Sequence, residues 1–118
     1  MAFRWKDYLE LAVVLKAQGE SLGQESCLRS ATSRAYYAAY CHARNWAHEN
    51  HRFDILNKPK DHKRLRDHFR GNDMEHIADK LDDMRKWRNK CDYRNDVSNP
   101  KRMAGDAIRE AQDIFRSL

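Results

Sequence analysis

The segment from Pro100 to Leu118 places its apolar side chains three or four residues apart, which is the spacing of one face of an α-helix. Its apolar residues are Met103, Ala104, Ala107, Ile108, Ala111, Ile114, Phe115 and Leu118. The alternating pattern of a strand is absent from the sequence, and only four glycines and two prolines occur among 118 residues. We therefore predict an all-α fold, in which residues 1–118 form one antiparallel bundle of about five helices.

The same periodicity predicts two helices in the first half of the chain. The first runs from about Phe3 to Gln18, and Gly19 follows it where a glycine commonly ends a helix. Its apolar residues are Trp5, Tyr8, Leu9, Leu11, Ala12 and Leu15. The second helix is long, from about Glu25 to Glu49, and mixes alanines with tyrosines on all sides. Because alanines allow neighbouring helices to approach closely, we expect this helix to be buried on more than one side.

Turn-forming residues divide the second half of the chain into three further helices. Pro59 suits the first turn of a short third helix, and Gly71 stops it. Asp73 is placed to N-cap a fourth helix that reaches about Asp92, and Pro100 suits the first position of the last helix. The loop before the third helix carries three apolar residues that we expect to pack against the bundle, namely Phe53, Ile55 and Leu56.

The charge balance is basic, with 23 lysines and arginines against 18 acidic residues. A solvated surface with a mild positive excess and a surface that contacts nucleic acid explain this balance equally well. No apolar run and no signal-peptide core indicates a membrane, so a cytoplasmic protein is expected. Cys27, Cys41 and Cys91 are scattered and are interpreted as small buried thiols. Histidine and cysteine never cluster at metal spacing, so neither metal nor cofactor is expected.

One arginine of the fourth helix continues a row of apolar residues. The row is Met74, Ile77, Leu81, Met84, Arg88 and Cys91. A guanidinium on this face is costly to desolvate without partners, and the nearest polar groups in the chain are Asn89, Asp92 and Tyr93. Two interpretations follow: Arg88 pairs with Asp92 one turn on and closes the helix, or it contacts a phosphate in a cleft.

The chain contains two basic runs, one ahead of this helix and one within it. One covers residues 58–66, and the other includes Arg85 and Arg88. If the third helix packs near the end of the fourth, the runs form a positive rim that suits phosphate contacts, whereas unconnected solvated charges are the alternative. Arg34, in the second helix, either pairs with a carboxylate of the bundle or joins a ligand site.

Two segments together resemble the HEPN domain family. They are Ser33-Arg34-Ala35-Tyr36-Tyr37-Ala38-Ala39-Tyr40 and Arg88-Asn89-Lys90-Cys91-Asp92-Tyr93, and His62 lies where many relatives carry a histidine. The resemblance implies a homodimer in which the motif arginines of both protomers meet in a cleft. Members include metal-independent ribonucleases, toxins of toxin–antitoxin pairs and defence proteins, partners of a small nucleotidyltransferase, and non-catalytic binding modules.

The resemblance also implies roles for individual residues. Arg88 and Asn89 would hold an RNA phosphate, and Arg34, Arg85 and His62 would be further binding residues. Asp92 would complete the binding set by orienting Arg88 or by hydrogen-bonding Tyr93. The ribonucleases use R-x4-6-H, but here Tyr93 stands in place of the histidine. A phenol ionises only near about pH 10 and an imidazole near about pH 6.5, so a tyrosine is a poor general base at neutral pH. Tyr93 would act as an inefficient proton donor, so ribonuclease activity is expected to be weak or absent. A non-catalytic module that binds a nucleotidyltransferase or another protein is the alternative.

Overall fold

A computed structural model describes residues 2–118 of the protein. Five helices make up the bundle: α1 Lys6–Leu22, α2 Glu25–His51, α3 Asp61–Gly71, α4 Glu75–Tyr93 and α5 Pro100–Ser117. Within residues 2–118 no strand occurs, which confirms the predicted all-α class and the number of helices. None of these helices combines the length and the apolar character that a membrane span needs.

The long helix α2 is the centre of the bundle, because it packs against each of the other four helices. Six of its alanines are completely buried: Ala31, Ala35, Ala38, Ala39, Ala43 and Ala47. Their small side chains let the neighbouring helices approach the α2 backbone closely. The prediction that α2 is buried on more than one side is therefore confirmed.

The end of α1 differs from the prediction. The helix continues one turn beyond Gly19, and Gly23 ends it with a left-handed backbone (φ 63°) while its N–H donates to the Gly19 carbonyl. Gly19 is a glycine for a different reason: a Cβ there would lie 2.8 Å from Leu28 and 3.0 Å from the Gln24 carbonyl oxygen. Leu11, predicted on the apolar face, is 40% exposed.

The ends of the remaining helices correct three smaller predictions. Pro59 lies in a turn ahead of α3, which begins at Asp61. Asp73 does not N-cap α4: the chain reverses after α3, leaving Asp73 in a left-handed turn conformation (φ 58°), and Met74 precedes the helix without a side-chain cap. Pro100 begins α5 as predicted, behind an Asn99 side chain that caps it.

The loop between α2 and α3 is only partly packed as predicted. Phe53 is buried and Ile55 is packed against the core, but Leu56 is 39% exposed. The loop is held at Asp61, whose carboxylate accepts the N–H groups of Leu56 (3.0 Å) and Asn57 (2.9 Å). These bonds fix the backbone next to the cavity described below.

Candidate functional site

A cavity of about 620 Å³ opens where α2, the start of α3 and the end of α4 meet. We call it the cleft. Its walls are Tyr36, Tyr37, Tyr40, Arg44, Asn57, Lys58, Pro59, Asp61, His62, Arg85, Arg88, Asn89 and Tyr93. Five residues that the sequence singled out line it together: Arg85, Arg88, Asn89, Tyr93 and His62.

Direct contacts join the two motif segments beside the cleft. The Ser33 hydroxyl of α2 donates to the Asp92 carboxylate of α4 over 3.3 Å. The same carboxylate oxygen lies 2.8 Å from Arg88 Nε, as an ion pair without the alignment of a hydrogen bond. The predicted Arg88–Asp92 pair is thus present, and it orients an arginine that also lines the cleft.

The Arg88 guanidinium lies between two tyrosine rings. Its central carbon is 5.2 Å from the ring centroid of Tyr37 and 5.3 Å from that of Tyr93, within the range of cation–π attraction. Nη1 donates to the Asn89 side-chain oxygen over 2.9 Å, and Nη2 approaches the Tyr93 hydroxyl at 3.4 Å. Burial disfavours the charge, but Tyr37, Asp92 and Tyr93 outweigh it and raise the pKa of Arg88. The side chain is a fixed, permanent cation.

His62 is the only imidazole that lines the cleft, and it is held in a stack of aromatic rings. Its ring is nearly parallel to that of Tyr40, with centroids 4.0 Å apart, and its Nδ1 is hydrogen-bonded to the Tyr36 hydroxyl. Burial, followed by the positive charges of Arg88 and Arg66, lowers the pKa of His62, so the ring is neutral at pH 7.

The partner of His62 decides which ring nitrogen carries its proton. Burial raises the pKa of Tyr36, so this phenol stays protonated and its O–H donates a hydrogen bond to His62 Nδ1. We therefore assign the hydrogen of the neutral imidazole to Nε2. In this tautomer, His62 offers the cleft an N–H donor rather than a free lone pair.

The walls of the cleft carry more positive than negative charge. Arg44, Lys58, Arg85 and Arg88 line it, and Asp61 is the one acidic residue among its walls. That carboxylate is already occupied by Arg64 Nη1 at 2.8 Å and by the loop N–H groups. Burial opposes ionisation of Asp61, but the hydrogen bonds from Arg64 and the backbone lower its pKa.

A second excess of positive charge lies beside the cleft, where one carboxylate forms ion pairs with three cations. Asp82 lies 3.5 Å from Arg66, 3.2 Å from Arg85 and 3.2 Å from Lys86. Buried nitrogens of Arg66 (Nη1) and Arg85 (Nε) have no hydrogen-bond partner within residues 2–118. The predicted convergence of the two basic runs is present, since Lys58 and Arg85 line the same cavity.

Arg34 does not join this set. Its side chain is exposed, and its guanidinium lies 5.2 Å from the Tyr8 ring of α1 instead of facing the cleft. The expectation of Arg34 as a ligand-binding residue is therefore not supported by its position, and a stacking contact replaces the carboxylate pair that was its alternative.

Two positioning residues could not be found from the sequence. Asp61, the first residue of α3, holds the loop that supplies Asn57 and Lys58. Its only local signal is that an aspartate at the start of a helix often accepts nearby backbone N–H groups. Arg29 donates to the carbonyl oxygens of Cys91 (3.2 Å) and Asn95 (2.9 Å), which fixes the end of α4. These partners are more than sixty residues away in the chain, and no local pattern reveals them.

The structure offers little for metal or thiol chemistry. No group of three or more histidine, cysteine or acidic side chains in residues 2–118 could hold a metal ion. Cys41 and Cys91 are buried as predicted, whereas Cys27 is only half-buried. Burial raises the pKa of the Cys41 and Cys91 thiols, that of Cys41 to about 11. They stay protonated and are poor nucleophiles at neutral pH.

The fold and the site define a helical-bundle protein with a cationic cleft lined by tyrosines. The chain is 34% identical to the uncharacterized protein MJ0992 of Methanocaldococcus jannaschii over 96 aligned positions, which cover 67% of this chain and 54% of that relative. The chain thus spans about half the length of the curated relative it matches. No protein-family model matches the chain. No solved structure matches it significantly.

Proposed function

We propose that this protein is a HEPN-like RNA-binding protein whose cleft holds a backbone phosphate on Arg88. The observation that carries the proposal is the fixed Arg88 guanidinium, oriented by Asp92 and two tyrosine rings, in a cavity whose single acid is already occupied. A planar guanidinium matches the oxygens of a phosphate, and the surrounding cations add attraction that weakens with salt.

The donors around Arg88 suit an anion with several oxygens. Arg85 and Lys58 contribute charge, His62 contributes an Nε2–H donor, and Tyr93 contributes a hydroxyl at the outer edge. Asn89 accepts from Arg88 through its side-chain oxygen, which leaves its amide group as a further donor. Each of these groups can therefore donate a hydrogen bond, as phosphate recognition requires.

The same geometry favours binding over cleavage. Metal-free RNA cleavage needs a base to remove the 2′-hydroxyl proton, and the His62 lone pair is taken by Tyr36. Tyr93 replaces the histidine of the R-x4-6-H pattern and is a poor base at neutral pH. We therefore propose weak or absent ribonuclease activity. By the same resemblance we propose a homodimer that belongs to a toxin–antitoxin or defence system.

The test is the affinity of the purified protein for a fluorescent single-stranded RNA, measured by anisotropy in EDTA. Arg88→Ala should weaken binding by about tenfold or more, because a charge-assisted hydrogen bond is lost. The matched control is Arg109→Ala, which removes an exposed arginine that pairs with Asp106 on α5. Raising salt from about 50 mM to about 200 mM should weaken wild-type binding strongly.

Two results would count against the proposal. Equal loss of affinity in Arg88→Ala and Arg109→Ala would show a diffuse charge effect rather than a site. Absence of RNA binding by folded wild-type protein would favour the module that binds a protein partner. RNA cleavage can be measured in the same samples, and we expect the wild-type protein to cleave no more RNA than Arg88→Ala does.

A further inference from the structure

Tyr93 is a wall between two cavities. On one side it closes the cleft, and on the other it lines a second cavity of about 650 Å³ together with Lys86, Asn89, Lys90 and Arg94. Asn89 is the only other residue that lines both cavities. A ligand leaving the cleft past Tyr93 therefore enters the second cavity directly.

The second cavity is also cationic. Lys86 and Lys90 lie one turn apart on α4, with a rise of about 6 Å between them. Arg94 follows directly after the helix in an extended conformation, and its N–H donates to the Lys90 carbonyl. The lining contains no acidic residue. Lys86 pairs with Asp82 outside the cavity, whereas Lys90 and Arg94 form no ion pair with any residue from 2 to 118. Their charges are free to meet an anion.

The tyrosine between the cavities is unusually exposed for an aromatic residue. Tyr93 is 73% exposed, while Arg88 lies against its ring on the cleft side. An aromatic face left open between two positive surfaces is the arrangement that stacks an unpaired nucleobase while the flanking phosphates bind cations. A base inside a duplex is already stacked on its neighbours and cannot reach such a ring.

We propose that Lys86, Lys90 and Arg94 form a second phosphate subsite, and that Tyr93 stacks the nucleobase between this subsite and Arg88. The ligand is then a single-stranded RNA segment that places at least two phosphates on the protein. This inference rests on the proposed function, because it takes the phosphate on Arg88 as its starting point.

The test compares an eight-nucleotide single-stranded RNA with a nucleoside monophosphate as ligands. The double variant Lys90→Gln/Arg94→Gln should bind the RNA about tenfold more weakly and show a shallower salt dependence, since two phosphate contacts are lost. Its binding of the monophosphate should be unchanged, whereas Arg88→Ala should weaken both ligands. The control double variant Lys101→Gln/Arg102→Gln removes two exposed cations from α5 and should bind as wild type.

Stacking is tested separately at Tyr93. Tyr93→Ala should lose about tenfold in affinity for the single strand, and Tyr93→Phe should retain most of it, because stacking needs the ring and not the hydroxyl. A duplex of the same sequence should bind more weakly than the single strand.

The possible failures are distinguishable. If Arg88→Ala weakens RNA binding but Lys90→Gln/Arg94→Gln matches its control, the second subsite is wrong and the proposed function stands. If Tyr93→Ala binds as wild type, or the duplex binds as tightly as the single strand, the stacking role is wrong. If wild-type protein binds neither ligand, both proposals are wrong.

Discussion

The two sides of α2 are held together by different chemistry. The side that faces α1 and α5, here called the packed side, closes on small and aliphatic residues such as Ala35, Ala39 and Ile114, all completely buried. The side that faces α3 and α4, here called the cleft side, contains Ser33, Tyr37 and Tyr40. The His62 ring of α3 stacks on Tyr40. One helix therefore supplies both the core of the bundle and one wall of the site.

The two sides should contribute differently to stability and to the proposed binding of RNA. The packed side gains its free energy from apolar burial, which is nondirectional and tolerates volume-conserving changes. The cleft side depends on specific polar contacts, namely the Arg88–Asp92 ion pair and the hydrogen bond between Tyr36 and His62, which few other residues could replace. Substitutions on the two sides should therefore separate stability from ligand affinity.

The largest effect on stability is expected on the packed side. Ile114→Ala removes a completely buried side chain of α5 and should lower the free energy of unfolding by about 3 kcal/mol, through lost burial and the cavity left behind. Its affinity for RNA should stay at the wild-type value under conditions where the protein is folded. Urea denaturation and anisotropy measure the two quantities, and a parallel loss of both would show that the sides are coupled.

On the cleft side, Arg29→Met should lower both the free energy of unfolding and the affinity for RNA. The guanidinium holds carbonyl oxygens at the end of α4, so its loss should cost about 2 kcal/mol and also weaken RNA binding, because Arg88 and Tyr93 lie on the same segment. Arg109→Met serves as the control for the loss of an exposed arginine. If Arg29→Met is as stable as the wild type and binds RNA as tightly, Arg29 does not position the end of α4.

The glycines of α1 distinguish close packing from backbone conformation. Gly19→Ala should cost about 2 kcal/mol, because its Cβ would meet Leu28 and the Gln24 carbonyl. Gly23→Ala should cost about 1 kcal/mol, because only its left-handed backbone (φ 63°) is unfavourable and nothing lies near the added Cβ. The order of the two urea midpoints checks the comparison, and the reverse order would show that Leu28 gives way to the Cβ added at Gly19 and that the left-handed backbone of Gly23 is the stronger constraint.

Acid should weaken the fold through histidines on both sides. Burial lowers the pKa of His42, which stacks on Phe115 of the packed side at 4.1 Å, and burial with nearby arginines lowers that of His62. Because the pKa of each histidine is lower in the folded protein, the unfolded chain binds protons more tightly. The free energy of unfolding is therefore highest above about pH 6.5 and decreases as the pH falls below that value. The urea concentration at the unfolding midpoint should be lower at about pH 5.5 than at about pH 7.5. In His42→Gln the midpoint should depend less on pH.

Apolar spacing and turn-forming residues together were sufficient to predict the five helices but not all of their ends. Apolar spacing reports which face a helix buries, as α5 illustrates from Pro100 onward, whereas the third helix was predicted from Pro59 and Gly71. Gly19 misled the prediction because a glycine that permits close helix contact has the same local sequence signature as one that ends a helix. Asp73 failed as an N-cap because the reversal after α3 places it in a left-handed turn.

The candidate site divides in the same way. Arg88 could be singled out because it interrupts an apolar row, and its partner Asp92 lies one turn away. The roles of Tyr36 and Arg29 could not, because their partners lie in other helices and only the fold brings them together. Local spacing thus predicts which residue is unusual, while the tertiary structure determines what surrounds it.

An NMR titration can follow the binding of an RNA phosphate at Arg88 residue by residue. Adding a short single-stranded RNA to the protein labelled with ¹⁵N should shift the Nε–H signal of Arg88 and the ring signals of His62, while the Nε–H signal of Arg109 stays in place. Equal shifts at Arg88 and Arg109, or shifts confined to residues outside the cleft, would contradict the account.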